Sequence, residues 1–496
     1  MGLVDASFKP VSNADSIIGA MSGVFQAGAV INVFGTAWLA DRYGRKSALH
    51  WCSFLSLIGG ALLCASTSST MFIVARLFAG AGAWGTLAVV PIYTAELAPP
   101  RLRGLMVGLN GVNIAIGYAL ATWMGLAFYY VDSPAAQWRA PLGISLVWPL
   151  VMIGVCFIVP ESPRFLLMKG RVEEARHIVL KLHSIKGDTR QEFARSEFYQ
   201  MVKQAEVDRQ ITPGWVELFR NPSYRKRVFM AAAYACFVAQ VDVQLGPTIY
   251  AALGYGTEKQ LILQSGWVAV GIVANLLGAV IMDHVGRKPL LLLGLGGCCV
   301  CLIIEAAMVS SFAEAGTNKA GLQMGVAATY LFLFIYSLGV DVAGIVFYSE
   351  IFSNHLRARG LAFTIAALGL TDLLFLQVAA TAFRHIGWKF YLVFIILSAI
   401  GTVWVWVAIP ETKGVPLEEV ARIFGDNVAV YEADVHVDHE ANELVVDQHG
   451  ASDSEHITRV ATEAGVPGYP TGFFDGEKRV GGSEMRSEHL DDVRKY

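Results

Sequence analysis

Two charged stretches of the same design stand far apart in the chain. Residues 41–46 read DRYGRK, and residues 283–288 read DHVGRK. Glycine allows the chain to reverse tightly, arginine presents a planar set of donors, and the acid can pair with either a cation or a helix N-terminus. One copy would be explained equally well by basic anchoring at a membrane surface. Two copies in register indicate an internal duplication whose chemistry is the making and breaking of ion pairs.

Covalent chemistry has no comparable signal in the sequence. No Ser-His-Asp constellation, phosphate-binding glycine loop or metal-ligand spacing stands out, and the seven cysteines all lie in apolar stretches. We therefore predict that the protein is not an enzyme, and we expect no cofactor, no metal and no nucleic acid among its partners.

The elements that position these charges are apolar and long. The chain is 54% hydrophobic and 16% charged, with a mean hydropathy of +0.49, whereas soluble domains carry about 25% charged residues. A membrane-spanning helix needs about 20 apolar residues, and the sequence predicts an all-α, multi-pass membrane protein. The predicted spans are 17–39, 47–66, 71–93, 104–127, 141–159, 227–251, 261–283, 289–310, 323–349, 360–382 and 388–409.

The distribution of basic residues predicts the orientation and the domains. Segment 160–226 contains 13 Lys or Arg, whereas the connectors on the opposite side contain five in total. Because positive charge favours the cytoplasmic side, we expect this segment to be cytoplasmic and the N-terminus to lie outside. The predicted domains are a five-span bundle at 1–159, a helical linker at 160–226, a six-span bundle at 227–425 and a disordered cytoplasmic tail at 426–496.

The two halves differ by one helix. One span precedes the charged turn in the first half, and two precede it in the second half. The repeat therefore leads us to expect that the first helix of a twelve-helix protein is absent from this chain.

Several further motifs are duplicated. PESPR at 160–164 and PETKG at 410–414 follow the last span of each half, and each half places a glutamate at one helix end and an arginine at the start of the next. In combination these motifs resemble the sugar porter branch of the major facilitator superfamily, most closely its filamentous-fungal members. The resemblance implies two six-helix bundles, alternating access and a cytoplasmic charge network that closes the inner gate. By resemblance the network contains Asp41, Arg45, Arg76, Glu96, Arg103, Glu161 and Arg164 in the first half, and Asp283, Arg287, Glu350, Arg357 and Glu411 in the second.

Polar residues inside the spans are the candidates for solute binding. Few of the sugar contacts typical of the family are retained, and acids stand at several places where the family has neutral side chains. A charge at the membrane centre costs at least about 2.5 kcal/mol, so such residues usually face a cavity. The predicted binding residues are Gln240, Asp242, Gln244, Tyr250, Asn113, Asp341, Phe347, Asp372 and Gln377.

These patterns predict transport of a sugar, polyol or related small polar solute across a membrane, which we expect to be the plasma membrane. Protons are a possible second partner, because a cavity carboxylate can exchange a proton, although the coupling acid of the family's symporters lies in the helix that this chain lacks. The alternatives are a nutrient sensor that does not transport and an inactive truncated transporter.

Overall fold

The structure is a computed structural model. It describes residues 14–184, 191–211, 214–239, 250, 255–313 and 319–426, and three short strands between 435 and 460. The chain divides into two compact units, Met1–Glu432 and Ala433–Tyr496, and each is described by itself.

The first helical bundle is an array of long apolar helices joined by very short connectors. Gly44 separates the first two helices with a φ of 106°, a conformation that a residue with a Cβ rarely adopts. Ser68 begins the third helix by accepting a hydrogen bond from the backbone N–H of Met71. The helices are α1 (Ala14–Tyr43), α2 (Arg45–Ala65), α3 (Ser69–Leu97), α4 (Arg103–Tyr129), α5 (Pro134–Ser145) and α6 (Val147–Ile158).

The linker is helical, as predicted. The helix at Val172–Leu182 buries Ala175 and Val179, whereas the longer helix at Glu192–Gln210 buries polar residues as well as apolar ones. The linker helices are α7 (Pro163–Met168), α8 (Val172–Leu182), α9 (Glu192–Gln210) and α10 (Glu217–Arg220).

The second bundle repeats the plan of the first. Gly286 takes the place of Gly44, with a φ of 103°. The helix that contains Asp341 changes to π-helical geometry at Tyr336–Asp341 before it continues as α-helix. The helices are α11 (Pro222–Ala239), α12 (Thr257–Val285), α13 (Arg287–Met308), α14 (Lys319–Ile335), α15 (Val342–Glu350), α16 (Arg357–Ile386), α17 (Phe390–Ala408) and α18 (Val420–Ile423).

Ten helical spans in the described part of the chain are long and apolar enough to cross a membrane; Pro134–Ile158 joins α5 and α6, and Gln323–Glu350 joins α14 and α15. They match ten of the eleven predicted spans; the eleventh, 227–251, begins as α11 and then extends beyond the described residues. Large apolar side chains such as Phe157, Ile158 and Val407 are more than 70% exposed on the outside of the bundles. This exposure is expected where a helix faces lipid. The prediction of an all-helical, multi-pass membrane fold is confirmed.

Close helix contacts hold the bundles together. A Cβ added to Gly80 of α3 would lie 2.0 Å from the carbonyl oxygen of Phe25 in α1, so these two backbones touch. Between the halves, α1 packs along α16 and α4 packs along α12. These two pairs bring both bundles around a shared central space.

The second unit contains a small antiparallel sheet in the order β1-β2-β3. Val435 pairs with Val446, and Leu444 pairs with Val460. These strands depart from the disorder that we predicted for 426–496; most other tail residues lie outside the described residues, and for them disorder stays a prediction. The strands are β1 (Val435–Asp438), β2 (Glu443–Asp447) and β3 (Ile457–Val460).

Candidate binding cavity and charged gate

The first charged turn forms a buried ion pair inside its own bundle. Arg45, at the start of α2, donates to both carboxylate oxygens of Glu96 at the end of α3, each at 3.0 Å. Glu161, beyond α6, accepts from the backbone N–H groups of Arg45 and Lys46 at 3.1 and 3.3 Å. Glu161 therefore caps the N-terminus of α2 from a distant part of the chain.

The second charged turn makes the same bonds in the second bundle. Arg287 donates to both oxygens of Glu350 at 3.2 and 2.9 Å. Glu411 accepts from the backbone N–H groups of Arg287 and Lys288, each at 3.0 Å. The duplication seen in the sequence is thus a duplication of hydrogen bonds.

Other pairs cross between the bundles on the side predicted to be cytoplasmic. Arg357 of α16 reaches Glu96 at 3.3 Å, and Arg359 reaches Asp41 at 3.4 Å. Arg164 of α7 binds both oxygens of Glu418 at 2.8 and 3.2 Å. We call the residues of these three pairs the cytoplasmic gate. Because they join the halves, they must separate if the bundles part on this side.

The crossing pairs do not follow the internal symmetry. Arg103 begins α4 as Arg357 begins α16, but it donates to the backbone carbonyl of Val415 at 3.4 Å. Its Nε and Nη2 atoms are buried and have no hydrogen-bond partner among the described residues. The arginine of the second bundle therefore holds the gate acid, and the arginine of the first bundle does not.

Burial and charge act in opposite directions on the gate carboxylates outside the spans. Burial alone would raise the pKa of Glu418, but the positive charges of Arg164, Arg103 and Arg357 and the hydrogen bonds from Arg164 lower it to about 2. Burial raises the pKa of Glu161, and its backbone hydrogen bonds offset only part of that rise. The Arg164–Glu418 pair therefore stays ionised at any physiological pH.

A glycine lies where the bundles meet. The carboxylate of Asp283 accepts from the backbone N–H of Leu105 at 3.0 Å, and a Cβ added to Gly104 would lie 2.0 Å from the same carboxylate. Gly104→Ala is expected to push α4 away from Asp283 and to open the gate, because Arg287 also holds this carboxylate at 3.2 Å. Increased labelling of cysteines introduced on the inner side of the gate would show this. Gly117→Ala, in open space on the same helix, should behave as wild type, and equal labelling of the two variants would contradict the prediction.

Between the bundles, on the membrane side of the gate, lies a cavity of about 510 Å³. Residues of both halves line it, and its inner end reaches Pro91 and Leu361, which lie five and four residues from the gate residues Glu96 and Arg357. The volume falls in the range of about 300–1,000 Å³ that small-molecule sites occupy. Most of the wall is apolar; the polar lining residues are Ser22, Gln26, Arg76, Trp84, Tyr118, Tyr336, Asp341, Tyr348 and Asp372.

Two of the predicted intramembrane acids line this cavity from the second bundle. Asp341 ends the π-helical segment and interacts with the side chain of Asn275 in α12. Asp372 of α16 accepts from Gln26 of α1 at 3.5 Å, a contact between the two halves. Local π-helical geometry is frequent at functional sites, which makes the position of Asp341 notable.

Arg76 does not belong to the gate, and its assignment to the charge network was wrong. It lies 20 residues before Glu96 in α3, which is about 30 Å along a helix. Its Nε atom donates to the carbonyl oxygen of Met21 at 3.1 Å, and its guanidinium group lies 4.8 Å from the ring centre of Phe25. Arg76 is part of the cavity wall, opposite the two acids.

The remaining predicted binding residues do not gather at the cavity. Tyr250 and Phe347 are fully buried, and neither is among the lining residues. Asn113 is exposed on α4 and is not among the lining residues, and Gln377 faces Gly19 and Gly23 of α1. None of these four residues is among the residues that line the cavity, and a role for them in solute binding stays a prediction. The other three predicted binding residues, Gln240, Asp242 and Gln244, lie outside the described residues.

Sequence reasoning missed several residues that the structure places at the site. Among them, Gln26 and Tyr348 line the cavity, and Arg359 and Glu418 complete the gate. A glutamine or tyrosine in an apolar helix gives no strong signal by itself. Gln26 could have been suspected as an isolated amide in the first span, whereas Glu418 follows the last span among other acids and has no marked counterpart in the first half.

Comparison with known proteins identifies the family. The sequence model of the Sugar (and other) transporter family matches residues 4–424. The chain belongs to this family. The predicted family is thereby confirmed, and the protein is a membrane transporter rather than an enzyme.

Two curated relatives and one solved structure illustrate the similarity of this transporter to known proteins. It is 28% identical over 430 residues to the MFS-type transporter criB of Aspergillus cristatus, covering 86% of this chain and 87% of the relative. It is 27% identical over 441 residues to a high-affinity glucose transporter of Kluyveromyces lactis, covering 85% and 80%. The proton:xylose symporter XylE of E. coli, bound to 6-bromo-6-deoxy-D-glucose, has the same fold, with a TM-score of 0.74, 21% identity and coverage of 85% and 92%.

Proposed function

We propose that this transporter carries a sugar or a related polyhydroxylated solute across the plasma membrane by alternating access. The observation that carries the proposal is a cavity of about 510 Å³ between two bundles whose crossing ion pairs close its cytoplasmic end. A site between two bundles that rock against each other is the general design of secondary transporters. The relative that is named as a glucose transporter supports the solute class.

The two acids and Arg76 give the cavity opposite charges on its two walls. Carboxylate and guanidinium groups can bind solute hydroxyls through charge-assisted hydrogen bonds, which are stronger than neutral ones. Asp341 and Asp372 can also hold a proton, because a carboxylate in a membrane cavity is stabilised in its neutral form. We propose that they bind the solute and that one of them carries a coupled proton, as suits the symporter that shares this fold.

The binding role is tested with Asp372→Asn. Uptake of labelled sugars, polyols and sugar acids is measured at pH 5 and pH 7.5 in cells without carriers of their own. We expect saturable uptake by the wild type and a loss of at least about tenfold in the variant, because a hydrogen bond to a charged group contributes about 1.5–3 kcal/mol. A proton-coupled carrier should show faster wild-type uptake at pH 5 than at pH 7.5. Loss of this difference in the variant would assign the coupled proton to Asp372.

Asp132→Asn is the matched control, because Asp132 is exposed in the connector between α4 and α5. Wild-type uptake by Asp372→Asn would remove Asp372 from the binding site. Solute binding to purified wild-type protein without uptake would favour the sensor alternative, and neither binding nor uptake from correctly inserted protein would favour an inactive transporter.

A further inference from the structure

Two side chains of the linker contact the backbone carbonyls at the end of α3 that lies at the gate. Arg164 of α7 donates to the carbonyl oxygen of Glu96 at 2.8 Å. The Nε2 atom of His183, at the end of α8, lies 3.0 Å from the carbonyl oxygen of Leu97. The last carbonyls of a helix have no partner within the helix and form the negative end of its dipole, so cations stabilise them. The linker therefore contacts the end of α3, which carries the gate residue Glu96.

Both ring nitrogens of His183 face acceptors. Nδ1 lies 2.5 Å from Oε2 of Glu197 in α9, and the carbonyl that faces Nε2 can only accept. A neutral imidazole has one N–H, whereas the imidazolium has two. The histidine and Glu197 are both buried, with 3% and 2% of their surfaces exposed. This arrangement is satisfied by a charged histidine held between a carboxylate and a helix C-terminus.

Glu197 also lies within the electrostatic reach of the gate. Its carboxylate acts on Arg164 and on Arg103. Arg164 in turn binds Glu418 of the second half. His183 and Glu197 therefore connect α8, α9 and α3 at the place where the crossing pairs form.

We propose that His183 and Glu197 are a positioning pair that favours the closed cytoplasmic gate by fixing the end of α3. The pair touches no solute; it acts by holding Glu96 where Arg45 and Arg357 can both reach it. Without the pair, Arg164 is the one remaining linker side chain described here that caps the end of α3; this end is then held less firmly, and the gate opens more often. This inference rests on the proposed alternating-access function, since it assigns the pair to one of the two states.

The test measures the gate directly with two spin labels. Tyr43 and Val285 are exposed and are the third residues of the two charged turns, one on each bundle. With labels at these sites, in a background without reactive native cysteines, the distance distribution reports the closed and open populations. His183→Gln and Glu197→Gln are compared with wild type, and His177→Gln is the control because His177 is exposed on the same helix.

We expect both variants to raise the ratio of open to closed protein by about tenfold or more, as loss of a hydrogen bond to a charged group implies. His177→Gln should leave the distribution unchanged. Uptake by the two variants should show a lower maximal rate with less change in KM, because the cavity itself is intact.

Wild-type distance distributions in both folded variants would overturn the proposal. Loss of monodisperse protein in both would overturn it as well, since the pair would then serve folding and not the gate. The distances are measured without solute and do not depend on which solute is carried. A shifted distance distribution in the two variants, together with no sugar uptake by the wild type, would refute the proposed function and leave the positioning role standing.

Discussion

Glu96→Gln is expected to reduce uptake by at least about 100-fold and to leave the cytoplasmic gate open. Glu96 is completely buried and forms ion pairs with Arg45 of its own bundle and with Arg357 of the other bundle. Without the charge of Glu96, Arg357 loses its ion-pair partner among the described residues, and Arg45 keeps only the longer contact with Asp41 at 3.7 Å. Removing one partner from a buried pair costs about 3–5 kcal/mol, and here much of that cost falls on the closed state, because only this state brings Arg357 to the site.

The matched variant is Glu350→Gln. Glu350 accepts two hydrogen bonds from Arg287, as Glu96 does from Arg45, and it is also buried. In the described structure, however, no arginine of the first bundle forms an ion pair with Glu350. Glu350→Gln should therefore lower the melting temperature of the purified protein while shifting the gate less. Label distances between Tyr43 and Val285 measure the gate in both variants. Equal shifts would show that the crossing bond to Arg357 has no special role.

The second large effect is expected at Glu418. Glu418→Gln leaves Arg164 buried with 3% of its surface exposed and without its bidentate partner, again at a cost of about 3–5 kcal/mol. We expect a lower melting temperature and a larger open population. The adjacent Glu419→Gln is the control, since Glu419 is only partly buried and accepts from the neutral amide of Gln200; its effect should be much smaller.

The pH dependence of this difference follows from the lowered pKa of Glu418. The folded value is about 2, and an unfolded glutamate titrates near 4.3. A lowered pKa in the folded state adds stability above the unfolded value, and this stability is lost as the pH falls towards the folded value. The difference in melting temperature between wild type and Glu418→Gln should therefore be constant from pH 5 to pH 8 and shrink below about pH 4. A difference that changes between pH 5 and pH 8 would show that another group controls the pair.

The sequence predicted the fold, and the placing of charges at helix ends, for a physical reason. Apolar runs of spanning length leave few alternatives to transmembrane helices, and the duplicated turns place the same charges at the same helix ends. Asp341 and Asp372 were predictable because acids within apolar spans usually face a cavity. Arg76 could have been placed correctly as well, because the helical rise separates it from Glu96 by about 30 Å.

The group with which each helix-start arginine pairs was not predictable from the sequence. Arg103 and Arg357 occupy equivalent places in the two halves, yet one meets a backbone carbonyl and the other a carboxylate. This difference depends on how the two bundles are packed against each other, which no local pattern encodes. Tyr250 and Phe347 are buried and are not among the lining residues, and helix packing of this kind cannot be read from their places in the sequence.

The unsatisfied guanidinium of Arg103 bears on the speed of the transport cycle. A buried donor without a partner costs about 1–3 kcal/mol, so the closed state is less stable than its contacts would allow. A gate in which every charge found a partner would hold more tightly but would release more slowly. Two nitrogens of Arg103 without a hydrogen-bond partner in the described part of the chain therefore leave the closed gate easier to open than a fully paired gate would be.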